Sequence, residues 1–108
     1  MTVSELCTSL GAKAVCMPNA EREVNGGYVG DLLSWVMGRA PADCAWVTIM
    51  SNINVAAVAS LADVACVILA EGVALDEDAL AKAEREGINI LSMSDGAYEI
   101  CTKVSALL

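Results

Sequence analysis

Apolar positions change their spacing several times along the chain, and each change predicts an element. Thr2-x-x-Glu5 has the spacing of a capping box, with Leu6, Cys7 and Leu10 on one helical face behind it and Gly11 as the stop. Residues 13–17 predict a short strand ended by Pro18-Asn19, and 21–24 a second one that enters the turn Asn25-Gly26-Gly27. Tyr28-Val29 continues as a strand. Asp31 is placed as the N-cap of a helix, and Leu32 to Met37 is apolar almost all round, the pattern of a helix buried either in this domain or against a partner. Gly38 to Pro41 ends it.

The second half alternates more regularly. Residues 45–50 predict a strand rich in β-branched and aromatic side chains, and Ser51-Asn52-Ile53-Asn54 offers N-caps for a short helix over 55–62. Residues 65–69 are a continuous apolar run, as expected of a strand covered on both faces, and Ala70-Glu71-Gly72 breaks it. The spacing predicts a surface helix over 77–86, with Asp76 as N-cap, Glu77 and Asp78 in the first turn, Leu75 and Leu80 as a hydrophobic staple, an Asp78–Lys82 pair and Gly87 as the end. A strand over 88–91 follows, then a polar loop with Ser94 or Asp95 as cap. A last helix over 97–107 presents Ile100, Cys101, Val104 and Leu107 or Leu108 on one face. Strand–helix alternation of this kind builds βαβ units on a parallel sheet. The fold class is therefore α/β: one domain over 1–108, a small three-layer α/β/α sandwich with a mostly parallel central sheet.

Composition sharpens the picture in two respects. Hydrophobic residues make up 56 % of the 108, with no Phe, so the core is built from small aliphatic side chains. Surplus apolar surface on so small a domain favours self-association, and a homodimer is expected. The net charge is −8 with six scattered basic residues, which argues against nucleic acid and against an anionic membrane surface. No apolar run is long enough to span a bilayer, and the start of the chain lacks the charge and apolar core of a signal peptide. Cys7, Cys16, Cys44, Cys66 and Cys101 are irregularly spaced, with no C-x-x-C and no His, so they read as small buried residues of a reducing cytoplasm, with neither metal nor cofactor implied.

Chemistry-bearing residues collect where strands are expected to end. Ligands of open α/β sheets bind at the carboxyl ends of strands. Tyr28, Asp31, Ser51, Asn52, Asn54, Glu71 and Ser94 fall there, with Asn52 and Asn54 best suited to hydrogen-bond a small uncharged or nucleoside-like ligand; capping is the rival role for each. Without His, and without Gly-x-x-x-x-Gly-Lys-Ser/Thr or Gly-x-Gly-x-x-Gly, no catalytic constellation is assembled. Trp35, with Leu32 and Val36, is the candidate interface, because its helix has no polar face to give to water.

Tyr28-Val29-Gly30-Asp31-Leu32-Leu33-Ser34-Trp35-Val36-Met37, then Ala45 to Ile49, Asn54 to Ala59, Glu71-Gly72, Gly87 to Ser92 and Ala97-Tyr98-Glu99 resemble the stand-alone DRTGG-domain proteins. The resemblance runs from about residue 20 to the end of the chain. It implies a compact α/β/α domain similar to the N-terminal domain of HPr kinase and to domains that accompany CBS domains and phosphotransacetylases. Ala70-Glu71-Gly72 departs from the Thr-Gly-Gly that names the family, and no kinase half is present, so no catalytic residue is carried over. The expectation is a non-catalytic regulatory or protein-interaction module acting as a homodimer. The alternative is a small-molecule sensor, nucleotides included, with its site at the strand ends.

Overall fold

The computed structural model describes residues 1–108. The elements are α1 (Val3–Leu10), β1 (Lys13–Cys16), β2 (Gly27–Val29), α2 (Leu33–Arg39), β3 (Ala45–Thr48), α3 (Ile53–Ala62), β4 (Cys66–Leu69), α4 (Glu77–Glu86), β5 (Ile90–Ser92) and α5 (Ala97–Leu107). The five strands lie in the order β1-β5-β4-β3-β2. β2, β3, β4 and β5 are mutually parallel, and β1 joins β5 antiparallel with a bulge between Ala14 and Cys16. Strands 2 to 5 run monotonically across the sheet. Right-handed crossovers between them therefore put α2, α3 and α4 on one face, and α1 and α5 cover the other. This is the expected three-layer α/β/α arrangement.

Side chains alternate between the two cores along each strand. In β4, Cys66 and Ile68 join α1 and α5, with Leu6, Leu10, Ile100 and Val104. Val67 and Leu69 join the other core, with Val36, Val55, Ala59 and Ala83. β3 and β4 are buried at every position, which explains why their sequences read as unbroken apolar runs.

Several local expectations hold in detail. Thr2 and Glu5 form the reciprocal capping box, with each backbone N–H donating to the other's side-chain oxygen at 2.9 and 3.1 Å. Gly11 and Gly87 close their helices in the left-handed conformation, at φ 66° and 71°. Others are corrected. Residues 21–24 make only an isolated bridge, Thr2 to Glu23, because the segment is spent anchoring the start of α1. Asp31 does not cap α2; Leu32 stands at the cap without a side-chain bond, since the Asp31 carboxylate is drawn away to β3. α2 is not buried within its own chain: it sits at the margin of the sheet, and among its residues only Val36 is buried. Asp76 occupies the α4 cap position without a side-chain bond, and Lys82 pairs with Glu86 at 3.1 Å rather than with Asp78, whose carboxylate accepts from the Ala79 N–H. Gly96, not Ser94 or Asp95, caps α5, because Asp95 is held by Lys103 at 2.8 Å. At the end of α5, Leu107 and Leu108 stay 40 % and 43 % exposed, while Ile100 and Val104 on the expected face are buried.

Candidate functional site

The carboxyl ends of β2 to β5 open on the same edge of the sheet, so Asp31, Ser51, Asn52, Asn54, Glu71 and Ser94 share that edge, with Tyr28 within β2 itself. Much of the hydrogen-bonding capacity of these residues is already used. The Asp31 carboxylate accepts from Thr48 Oγ1 at 2.7 Å and from the Ile49 N–H at 3.0 Å, tying the end of β2 to the end of β3. Asn52 caps α3, its side-chain oxygen accepting from the Asn54 N–H at 2.9 Å. The Ser51 carbonyl accepts from the Asp76 N–H. Glu71 takes a left-handed φ of 61°, its N–H donates to the Asp95 carbonyl, and its carboxylate lies beside Gly96 at the start of α5, where the helix dipole favours negative charge. Asn54 and Ser94 are exposed.

Two clefts lie on either side of β2. One, of about 430 Å³, is lined by Tyr28, Val29, Gly30, Asp31, Leu32, Trp35 and Arg39. The other, of about 320 Å³, lies between β2 and α5 and is lined by Gly26, Gly27, Tyr28, Val29, Val47, Cys101, Val104, Ser105 and Leu108. The structure thus brings Tyr28 and Asp31 together with Trp35, and neither cleft reaches Ser51, Asn52, Asn54, Glu71 or Ser94.

The floor of the first cleft is fixed from below. Trp46 is fully buried, and its indole N–H donates to the Gly30 carbonyl at 2.9 Å. The Tyr28 ring folds over Gly30 so closely that a Cβ there would stand 3.2 Å from Tyr28 Cε2. On the rim, the Arg39 guanidinium stacks 3.7 Å from the centroid of the Trp35 ring. Trp35 and Leu32 remain 52 % and 56 % exposed, whereas Val36 is completely buried. Val36 is therefore core and has no surface to offer a partner. Arg39 was not singled out in the sequence, although the Trp35–Arg39 spacing of four residues on a helix is the signal for such a stack.

The acidities set by the fold are those of structural groups. Burial pushes the Cys44 thiol up to about 11 and the Cys66 thiol up to about 12, so both are protonated at neutral pH and inert as nucleophiles. Burial also raises Cys7, Cys16 and Cys101. Hydrogen bonds from Lys103 hold Asp95 low, and bonds to Thr2 hold Glu5 low. No three or more Cys, Asp or Glu side chains come together in a set able to hold a metal ion.

No protein-family model and no curated protein matches the chain. Among solved structures, it is similar to the CBS and DRTGG domains of the regulatory region of Clostridium perfringens pyrophosphatase, a structure complexed with its activator, diadenosine tetraphosphate. The TM-score is 0.72 at 10 % identity, over 95 % of this chain and 47 % of that one. The likeness shows a DRTGG-domain fold; the chain spans about half the length of its relative.

Proposed function

We propose that this chain is a non-catalytic regulatory module that acts as a homodimer, with Leu32 and Trp35 in the interface. The observation that carries the reading is the half-exposed Trp35, beside exposed Leu32 and Val29, at the open margin of the sheet. Contiguous exposed apolar groups of this kind mark an interaction surface, and Trp is the side chain most enriched at the centre of interfaces. Two further features support a non-enzymatic role. His is absent, and the thiols are driven away from reactivity rather than toward it. The structural relative is itself a regulatory region. A cytoplasmic setting fits the five unpaired cysteines, and no helix is long and apolar enough to cross a membrane. Sedimentation of the reduced protein beside a Trp35→Glu variant tests the reading. A dimeric wild type and a folded, monomeric variant are expected; a variant that remains as dimeric as wild type removes Trp35 from the interface.

A second reading, small-molecule sensing, is favoured by the cleft of about 430 Å³ that places Tyr28, Asp31 and the Trp35–Arg39 stack together. A planar base would stack on Trp35 with its anionic part against Arg39. The relative's activator is a dinucleotide, which makes adenine nucleotides the first class to try. Quenching of Trp fluorescence on titration with diadenosine tetraphosphate, lost in Arg39→Ala, is the expected sign. Unchanged emission and melting temperature across adenine nucleotides would count against it.

A further inference from the structure

The two outer strands of the sheet are finished differently. β1, at one edge, carries the exposed Lys13 and a bulge between Ala14 and Cys16, and Pro18 follows it closely. A charge, a bulge and a proline are the usual means by which a protein keeps an open edge from pairing with another chain. β2, at the other edge, has none of them: residues 26–30 are Gly-Gly-Tyr-Val-Gly.

The hydrogen-bonding register says which groups of β2 are free. The Gly26 carbonyl accepts from the Ala45 N–H, and the Gly30 N–H donates to the Val47 carbonyl. Backbone groups alternate sides along a strand, so Gly26, Tyr28 and Gly30 face β3. The N–H and C=O of Gly27 and Val29 then point out of the sheet, two donors and two acceptors in one row.

We infer that β2 pairs antiparallel with β2 of a second copy of this chain, joining two five-stranded sheets into one across a two-fold axis at Tyr28. The inference rests on the homodimer reading above and specifies where the copies meet. In this register Gly27 of each chain lies opposite Val29 of the other, and each such pair exchanges two hydrogen bonds. All four outward groups of each edge are thereby satisfied. The side chains match as well. Val29 is 53 % exposed and stands opposite a residue with no side chain, while the two Tyr28 rings form a cross-strand aromatic pair on the α2 side.

Charge and area both select a second copy as the occupant. Among the side chains lining the two clefts, only Asp31 and Arg39 are charged, and they have opposite signs. This margin is therefore balanced in charge on a chain of net charge −8, and a self-complementary patch is what a two-fold interface requires. The exposed apolar surface of Val29, Leu32, Trp35 and Leu108 is on the order of 400 Å² per chain, about half of the roughly 800 Å² per partner found in stable interfaces.

Two variants read the pairing separately from dimerisation itself. Val29→Pro removes an outward N–H that β3 does not use, so the sheet of one chain tolerates it. Its far-UV circular dichroism and a cooperative urea transition report folding. Wild type is expected to sediment as a dimer, and folded Val29→Pro to dimerise at least ~10-fold more weakly, having lost two hydrogen bonds per dimer. Tyr28→Cys is expected to give a covalent dimer on mild oxidation, linked at position 28 by peptide mass mapping; Leu61→Cys, on the exposed side of α3, is expected to give none. A folded Val29→Pro with the wild-type dissociation constant overturns the edge pairing and leaves the homodimer standing. Should that variant fail to fold, a dimeric Tyr28→Cys that does not crosslink at position 28 overturns it equally. A wild type that stays monomeric at every concentration sinks both readings.

Discussion

Asp31 shows how one side chain joins two strand ends. Its carboxylate accepts from Thr48 Oγ1 and from the Ile49 N–H, and Thr48 is buried. Thr48 Oγ1 also accepts from the Met50 N–H at 3.2 Å, so the hydroxyl is a relay. Asp31→Ala leaves a buried hydroxyl and an amide short of an acceptor and is expected to cost about 1–3 kcal/mol in urea denaturation. Thr48→Val costs a similar amount, and the double variant less than their sum, because both remove the same bond. The pairing was not legible in the sequence. Asp before an apolar run is the local signature of a cap, whereas its real partners lie 17 and 18 residues away. Where the bonding is local, as with Thr2 and Glu5, spacing sufficed. Alongside Cys44, raised to about 11, Cys66 contributes a pH dependence. Its thiol titrates near 12 when folded and near 9 when exposed, so the unfolded chain loses the proton first. This contribution to stability is complete below about pH 9 and declines as pH rises toward about 12. Denaturation midpoints taken along that range are expected to fall more steeply in wild type than in Cys66→Ala; equal slopes would remove Cys66 as the cause.

At the scale of elements, Arg22 is the main tie outside the sheet. Its Nη2 reaches Asp43 Oδ1 at 2.9 Å, Asp63 Oδ1 at 2.8 Å and the Asp63 carbonyl at 2.7 Å. Asp43 and Asp63 both take left-handed backbone, at φ 66° and 57°, just before β3 and at the end of α3. One guanidinium thus fixes two turns that admit few side chains and anchors the segment between β1 and β2 to them. Arg22→Met is expected to lower stability by about 1–3 kcal/mol, with faster amide exchange at Asp43 and Asp63; exchange unchanged there would refute the role. The elements of the second half were readable because their boundaries are local: α4 keeps its predicted span 77–86, set by Gly87 and the acidic first turn. α2 is left uncovered within its own chain for a physical reason. An apolar composition all round predicts burial only if something lies on every side, and α2 packs at the sheet margin with one face outward. That β1 runs antiparallel, and that 21–24 never becomes a strand, depend on pairing partners that hydropathy does not record.

For the whole molecule, the consequence is an asymmetric sheet. One edge is guarded and the other is open, flanked by two clefts and by exposed Val29, Leu32 and Trp35. Of the strand-end residues chosen from the sequence, only Tyr28 and Asp31 line those clefts, because carboxyl ends share an edge of the sheet without converging on one hollow. The family resemblance read from Tyr28 to Met37 agrees with the fold, and that same stretch forms the open margin. On the proposed reading a second copy covers this margin. Sedimentation equilibrium of the reduced wild-type protein over a wide concentration range reads this association itself. A molar mass rising to twice 11.2 kDa is expected, and a mass fixed at 11.2 kDa throughout overturns the homodimer.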